Sequence, residues 1–582
     1  MEAPQYSEKE HNDHACHEGQ TAEEAHQNKA RQSQAGQDEW WRSAVIYQVY
    51  PRSFQDSDGD GIGNLAGVTA RLPYLKQLGV DAVWMSPHYP SPQADTGYDV
   101  ADYFDVNPDY GTLDDFDALV SRVHQLGMKI IIDVVPNHSS SEMVWFQEAL
   151  RAEPNSPQRD RYIFRYSLDG APNNWGSMFG GRAWTRVAEL TGREADRGWW
   201  YLHLFAPEQP DFNWDNSDVH EFFKSYFRFW CDRGVDGFRV DVAHGLVKQE
   251  GLPDDAIGPD RWAQADGENQ NTGPFWDQPG VHDIYREWRA VLDEYGRDRM
   301  LVAEAWLVPQ REALYVRNDE MSQAFNFDYL KAGWNPQALR TAIDTSLEAM
   351  GAVGAPVTWV MSNHDVVRAT TRFGYEPPIN TDRGIGVDDP QPDRELGLQR
   401  ARAMAIVTMG LPGSMYIWEG EELGLPEVTD LPDEARQDPT WLRTGHTVRG
   451  RDGCRVPLPW EADKENCGFS TGTPWLPQPA YWAEYAADVQ IHDPNSTWNL
   501  YRSALARRRE LQLAHGSVVW LTPEGDSLLA FRNGGVVLAL NMGSEERVIS
   551  GVSSVVISSH EIAIDSAGAH VPPNCGAWLV AS

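Results

Sequence analysis

The chain of 582 residues is too long for one ordinary domain and long enough for a barrel with insertions plus a small accessory domain. Its content of 41% hydrophobic and 11% aromatic residues is that of a globular protein, and its 24 tryptophans suit either buried packing or sugar-stacking surfaces. A formal net charge of −37 argues against nucleic acid or an anionic membrane surface as partner.

In chain order, residues 1–38 are rich in Glu, Gln, His and Ala and read as a disordered polar tail, in which His11, His14, Cys16 and His17 are better explained as solvated than as metal ligands. No apolar leader opens the chain and no run of 18 apolar residues follows, so neither secretion nor a membrane span is expected. The five cysteines (Cys16, Cys231, Cys454, Cys467, Cys575) lack framework spacing and read as mostly free thiols in a cytoplasmic setting, with a Cys454–Cys467 pair left open.

From residue 40 onward, short apolar runs alternate with helix-like stretches. The runs fall at 44–50, 82–85, 129–135, 238–242, 301–305, 324–327, 357–361 and 414–418, and a helix over 68–79 ends at a glycine stop. Eight such βα repeats predict an α/β fold, a (β/α)8 TIM barrel, built from residues 39–138 and 216–515. Residues 139–215 read as a subdomain inserted after strand 3, and 422–481 as a loop insertion after strand 8. After a helix at about 496–514, alternating Val, Leu and Ile over 516–582 predict a C-terminal antiparallel β domain.

Functional residues of such a barrel lie at the C-terminal ends of its strands. Asp241, Glu304 and Asp365 fall there, accompanied by His138 and His364. Arg239 and Asp241 are two residues apart and share a strand face, so Arg239 is expected to keep Asp241 ionised. Glu304, flanked by Val302, Ala303, Ala305 and Trp306, is expected in a more apolar setting. An ionised carboxylate beside a protonated one is the equipment of retaining glycoside hydrolysis.

Five stretches then occur in a telling order: Asp133-Val134-Val135-Pro136-Asn137-His138, Gln209-Pro210-Asp211-Phe212-Asn213-Trp214, Gly237-Phe238-Arg239-Val240-Asp241, Glu304-Ala305-Trp306 and Ser362-Asn363-His364-Asp365. With these the chain closely resembles glycoside hydrolase family 13, the α-amylase family, in its α-glucosidase and oligo-1,6-glucosidase branch. The resemblance implies Asp241 as nucleophile, Glu304 as general acid/base and Asp365 as transition-state stabiliser. It implies Arg239, His138 and His364 as contacts of the innermost glucosyl unit. It also implies that Asp99, in Thr96-Gly97-Tyr98-Asp99, holds the 4- and 6-hydroxyls of the non-reducing glucose together with Arg451, Arg455 being the weaker candidate for that partner.

The run from Asp56 to Asn64 carries oxygen ligands at positions 1, 3, 5 and 9 and glycine at position 6, the front of an EF-hand-like loop, although position 12 is Gly67. The resemblance implies a structural Ca2+ or Mg2+ held by Asp56, Asp58, Asp60, the Ile62 carbonyl and Asn64. No organic cofactor is expected. Val242 stands at the position that the branch associates with α-1,6 tolerance, but Ala243-His244 departs from the bacterial oligo-1,6-glucosidases. The expected enzyme is an exo-acting retaining α-glucosidase, a monomer or homodimer, acting on maltose, isomaltose, sucrose or maltooligosaccharides. The alternatives are an oligo-1,6-glucosidase, or a sucrose isomerase or trehalose synthase type of transglycosylase on the same barrel. A non-catalytic member is disfavoured by the intact carboxylates and the missing membrane span.

Overall fold

The structure, a computed structural model, describes residues 39–258 and 272–582. The polar tail and its His/Cys cluster lie outside the described residues. All eight strand candidates form strands of one sheet: β1 Val45–Val49, β2 Ala82–Met85, β3 Lys129–Val134, β4 Gly237–Val240, β5 Met300–Ala303, β6 Gln323–Ala324, β7 Thr358–Val360 and β8 Ser414–Trp418. Their spatial order is β7-β8-β1-β2-β3-β4-β5-β6, and every ladder is parallel. Among the described residues no ladder joins β6 to β7. Side chains close that seam instead. The Thr358 hydroxyl donates to the Ala324 carbonyl, and Gln323 binds Ser414 and Tyr416 at 2.7 Å each. The near-closed barrel agrees with the sequence-based fold class.

Strand placement follows from burial on both faces, which favours unbroken β-branched runs such as Ile130-Ile131-Ile132, each fully buried. The helices obey the 3.6-residue period. In Ser217–Asp232 the buried positions are Val219, Phe223, Tyr226, Phe227, Trp230 and Cys231, a single stripe facing the sheet. Fully burying an aromatic or aliphatic side chain of this kind contributes about 1.5–3 kcal/mol, so this stripe alone outweighs the helix's weak intrinsic propensity. The helix expected over 68–79 begins three residues earlier, at Leu65, because the Asn64 side chain accepts the Gly67 N–H and caps it; Gly79 ends it at φ 106°.

Between residues 139 and 215, strands Phe164–Tyr166, Trp184–Arg186 and Trp199–Leu202 form a three-stranded antiparallel sheet. Residues 422–481 hold short helical turns and loops, and Thr497–Glu510 is the last long helix. Beyond it lie antiparallel sheets of five and three strands, spanning Val519 to Ala581. Cys231, Cys454, Cys467 and Cys575 are all buried free thiols, so Cys454 and Cys467 do not pair. No described helix is long and apolar enough to cross a membrane.

Candidate active site

Parallel pairing of β3 with β4 sets Asp133 directly opposite Arg239, so both side chains enter the barrel at one level. Arg239 is buried and divides its guanidinium among three carboxylates. One terminal nitrogen donates to Asp241 Oδ1 at 2.7 Å and Asp133 Oδ1 at 3.2 Å, and the other lies 2.7 Å from Glu304 Oε2. The Trp84 ring covers it at 5.3 Å, and Trp84 and Tyr98 each donate a hydrogen bond to Asp133.

This sharing corrects the expectation that Arg239 alone keeps Asp241 ionised. Burial pushes the Asp241 carboxyl well up; Arg239 pulls it down, but Glu304 and Asp133 push it up again, Glu304 also through a hydrogen bond. Burial likewise lifts Asp133 to about 7 against the pull of Arg239. One guanidinium cannot neutralise three carboxylates, so Arg239 does not offset what burial and the neighbouring Glu304 and Asp133 do to Asp241.

The setting of Glu304 is also more polar than its apolar neighbours in sequence suggest. Besides Arg239, its Oε2 accepts the Val242 N–H at 3.1 Å, and its Oε1 accepts the Trp306 indole N–H at 3.1 Å. Val242 reaches this position with φ +46°, a left-handed conformation that a β-branched residue adopts only under strain.

Asp365 lies just past β7 in a cationic clamp. Its Oδ1 accepts from Arg451 at 3.0 Å and Arg455 at 3.1 Å, and its Oδ2 lies 3.2 Å from His364 Nε2. Burial raises this carboxyl, but the ring N–H of His364 and the guanidinium groups of Arg451 and Arg455 outweigh it and hold Asp365 well below the usual range. Burial drives His364 far down, so it is neutral; Gln48 of β1 donates to Nδ1 at 2.8 Å, which leaves the proton on Nε2, facing Asp365. Tyr98 stacks flat on the His364 ring at 5.2 Å. His138 is neutral for the same reason, its pKa lowered to about 3, and lies 3.0 Å from both the Tyr98 carbonyl and the Gln209 amide.

The Asp99–Arg451 pair expected from the sequence is not formed. Arg451 reaches Asp95 Oδ1 at 2.8 Å and Asp438 Oδ2 at 2.6 Å. Asp99 is fully buried and accepts hydrogen bonds from the Ser91 hydroxyl and the Ala94 and Asp95 amides, so it braces the loop that carries Asp95. Burial lifts Asp99 to about 6. Both aspartates belong to one Asp-Thr-Gly-Tyr-Asp run, and spacing gave no reason to prefer the first. Arg455, the weaker candidate, shares Asp365 with Arg451 and donates to Thr96 at 2.9 Å. Also unassigned beforehand are Gln209, which joins Asp95 to His138, and Lys248, which is buried against Asp211 and Asn137 at 2.9 and 2.8 Å. Their only signal in the sequence was that Gln209, Asp211 and Asn137 sit in quoted motifs.

A cavity of about 610 Å³ is lined by Glu304 and Asp365 together with Val242, His244, Trp276 and Trp306. The family described as the catalytic domain of alpha amylase matches residues 48–516. The chain belongs to the α-amylase family. As a member it is a glycoside hydrolase. It is 37% identical over 529 residues to a probable alpha-glucosidase of Rhizobium meliloti (strain 1021), covering 87% of this chain and 90% of that one. It is 35% identical over 506 residues to an oligo-1,6-glucosidase of Parageobacillus thermoglucosidasius, covering 81% and 84%. The solved structure of the alpha-glucosyl transfer enzyme XgtA superposes with a TM-score of 0.82 at 33% identity, covering 93% of this chain and 99% of that one.

The α-amylase family member also carries the acidic loop that its sequence singled out. Asp56, Asp58 and Asp60 bring carboxylate oxygens within 4.8 Å of one another, a hard, all-oxygen donor set. Gly61, at φ +93°, passes so close to the Thr473 carbonyl that an added Cβ would lie 1.8 Å from it, which fixes the turn. Asp56 accepts the amides of Asp58, Gly59 and Gly61 and the Ser470 hydroxyl. Asn64 Oδ1 accepts from Ser57 and Gly67, so it would serve a cation only by sharing the oxygen that caps the helix. The three aspartates fit a divalent ion; the Asn64 side chain as oriented fits it less well.

Proposed function

We propose that this chain is an exo-acting, retaining α-glucosidase that releases α-glucose from the non-reducing end of short α-glucosides through a glucosyl–Asp241 intermediate. The observation that carries it is the Asp241–Glu304 pair, drawn onto one guanidinium and close enough to share a hydrogen bond. Such a pair leaves no room for the water that an inverting enzyme places between its carboxyls. Glu304 protonates the leaving oxygen while Asp241 attacks C1; Glu304 then takes a proton from water as the intermediate is hydrolysed. Asp365, kept ionised by its clamp, faces the positive charge that develops on the sugar ring. Asp95, Arg451 and Gln209 close the inner end of the site and supply polar groups for the terminal glucose, which supports the exo mode.

The wide cavity beyond Glu304 has room for an acceptor sugar, which favours transglucosylation as a second outcome, alongside hydrolysis or isomerisation of sucrose. Linkage is α-1,4 or α-1,6, the latter in keeping with the name of the oligo-1,6-glucosidase relative. The test is a panel of maltose, isomaltose, sucrose, trehalose, maltooligosaccharides and an aryl α-glucoside, with the first-formed anomer read by NMR. Release of α-glucose from at least one member is expected; β-glucose, or cleavage only within long chains, would overturn the reading. A structural Ca2+ or Mg2+ on Asp56, Asp58 and Asp60 is part of the proposal, supported by their convergence. A cytoplasmic location is supported by the four buried free thiols.

A further inference from the structure

Trp306 lines the cavity two residues beyond Glu304, where an aromatic side chain would ordinarily be read as a platform for a sugar ring. The geometry denies it that use. Phe327 stacks on the indole at 3.6 Å and 7°, filling one face, and the Lys331 ammonium stands over the ring at 4.7 Å. At the ring's edge the indole N–H donates to Glu304 Oε1 at 3.1 Å. Glu304 Oε2 is already taken by Arg239 and the Val242 N–H. Oε1 is therefore the oxygen left to carry the catalytic proton.

We propose that Trp306 is a positioning residue for the general acid: held by its stack on Phe327 and its contact with Lys331, it keeps the Glu304 carboxyl in one rotamer with Oε1 toward the leaving group and stabilises the carboxylate that forms when the proton is given up. This rests on the function proposed above. In the first half-reaction the Oε1–H bond breaks as the glycosidic oxygen takes the proton and its bond to C1 is replaced by a bond to Asp241. In the second, water gives a proton to Oε1 and its oxygen to C1, releasing Asp241. A hydrogen bond to the ionised form favours that form, and the cation over the ring polarises the indole N–H and strengthens it as a donor. The other ionisable groups around Glu304 are Asp133 on β3, Arg239 and Asp241 on and just past β4, His244 in the following turn, and His364 and Asp365 past β7. Trp306 donates to it, with Lys331 over the indole ring.

The test is W306F in the full chain, which keeps the stacked ring and removes the donor, read as pH profiles of kcat/KM for maltose and for 4-nitrophenyl α-glucoside. The basic limb, which reports the free enzyme's acid, is expected to move up by about one pH unit. Maltose, with its poor leaving group, is expected to lose about tenfold in kcat/KM and the nitrophenyl substrate clearly less, since general-acid help is worth about 10²–10⁴ where it is needed. K331M, which leaves the ring and the N–H in place, is expected to move the limb in the same direction by a smaller amount, and carries the test should W306F fold poorly. An unmoved limb in both variants, or equal losses on the two substrates, would mean that Trp306 is only structural and overturns the proposal. A failure of the underlying reading is seen separately, as maltose hydrolysis that survives E304Q.

Discussion

Three carboxylates meet at Arg239, and their count has consequences for single residues. Asp241→Asn removes the nucleophile and one of three repelling charges at once. Turnover is expected to fall by about 10⁴-fold or more, while the melting temperature rises or holds, since the site is arranged for chemistry at the expense of stability. An active or an unfolded D241N would each contradict this. The second residue-scale prediction separates Asp95 from Asp99. Asp95→Asn deprives Arg451 of a charge partner at the inner end of the site and is expected to lower kcat/KM by about a hundredfold with little change in melting temperature. Asp99→Asn disturbs three hydrogen bonds to a buried carboxyl in the supporting loop and is expected to cost about 1–3 kcal/mol of stability. If Asp99→Asn lost activity at unchanged stability and Asp95→Asn did not, the sequence-based choice would be restored.

At the scale of elements, the eight barrel strands were legible because each is a short apolar run with a distinct boundary, and the carboxylates at their ends because strand ends are where such a barrel presents its chemistry. What escaped was set by contacts remote in sequence. Arg451 chooses Asp95 across 356 positions and Asp438 across 13, and no local pattern ranks those partners. Pairing along β3 and β4 is what recruits Asp133 to Arg239, and that competition cannot be seen from Arg239 and Asp241 alone. The acidic loop is a third element-scale case, since its last residue, Asn64, both follows the three aspartates and caps the helix Leu65–Leu78. A cation bound to Asp56, Asp58 and Asp60 would fasten the loop to the start of that helix and, through Ser470, to the insertion after β8. Exhaustive chelation is therefore expected to lower the melting temperature by several degrees, with recovery on adding Ca2+ or Mg2+, and D58N to abolish the response. An identical melting curve with and without chelator would remove the ion from the account.

For the whole molecule, the buried carboxyls fix the sign of the pH dependence of stability. Burial lifts Asp99 to about 6 and Asp133 and Glu427 to about 7, all above the ordinary range near 4. Each binds its proton more tightly folded than unfolded, so each contributes stability that is fully present below the unfolded value and is lost as pH rises through the folded value, between about pH 4 and 7. The slope is about 1.4 kcal/mol per group per pH unit inside that window. Asp365, Asp236 and Asp438 are held low by cationic partners and work in the opposite sense, giving stability that is lost only as pH falls below the ordinary carboxylate range. The excess of negative charge, −37 in all, adds repulsion on the alkaline side. The melting temperature is therefore expected to peak near pH 5 and to fall by several degrees by pH 8 at constant ionic strength. Glu427 isolates one contribution. It is buried and accepts the Arg368 N–H at 2.9 Å through an oxygen that glutamine also supplies. In scanning calorimetry, E427Q is expected to resemble the parent near pH 5 and to melt above it at pH 8, where the parent must either ionise a buried carboxyl or hold its proton against the solvent. A parent whose melting temperature rises from pH 5 to 8, or an E427Q curve parallel to the parent's throughout, would show that these carboxyls are solvated well enough to ionise without cost.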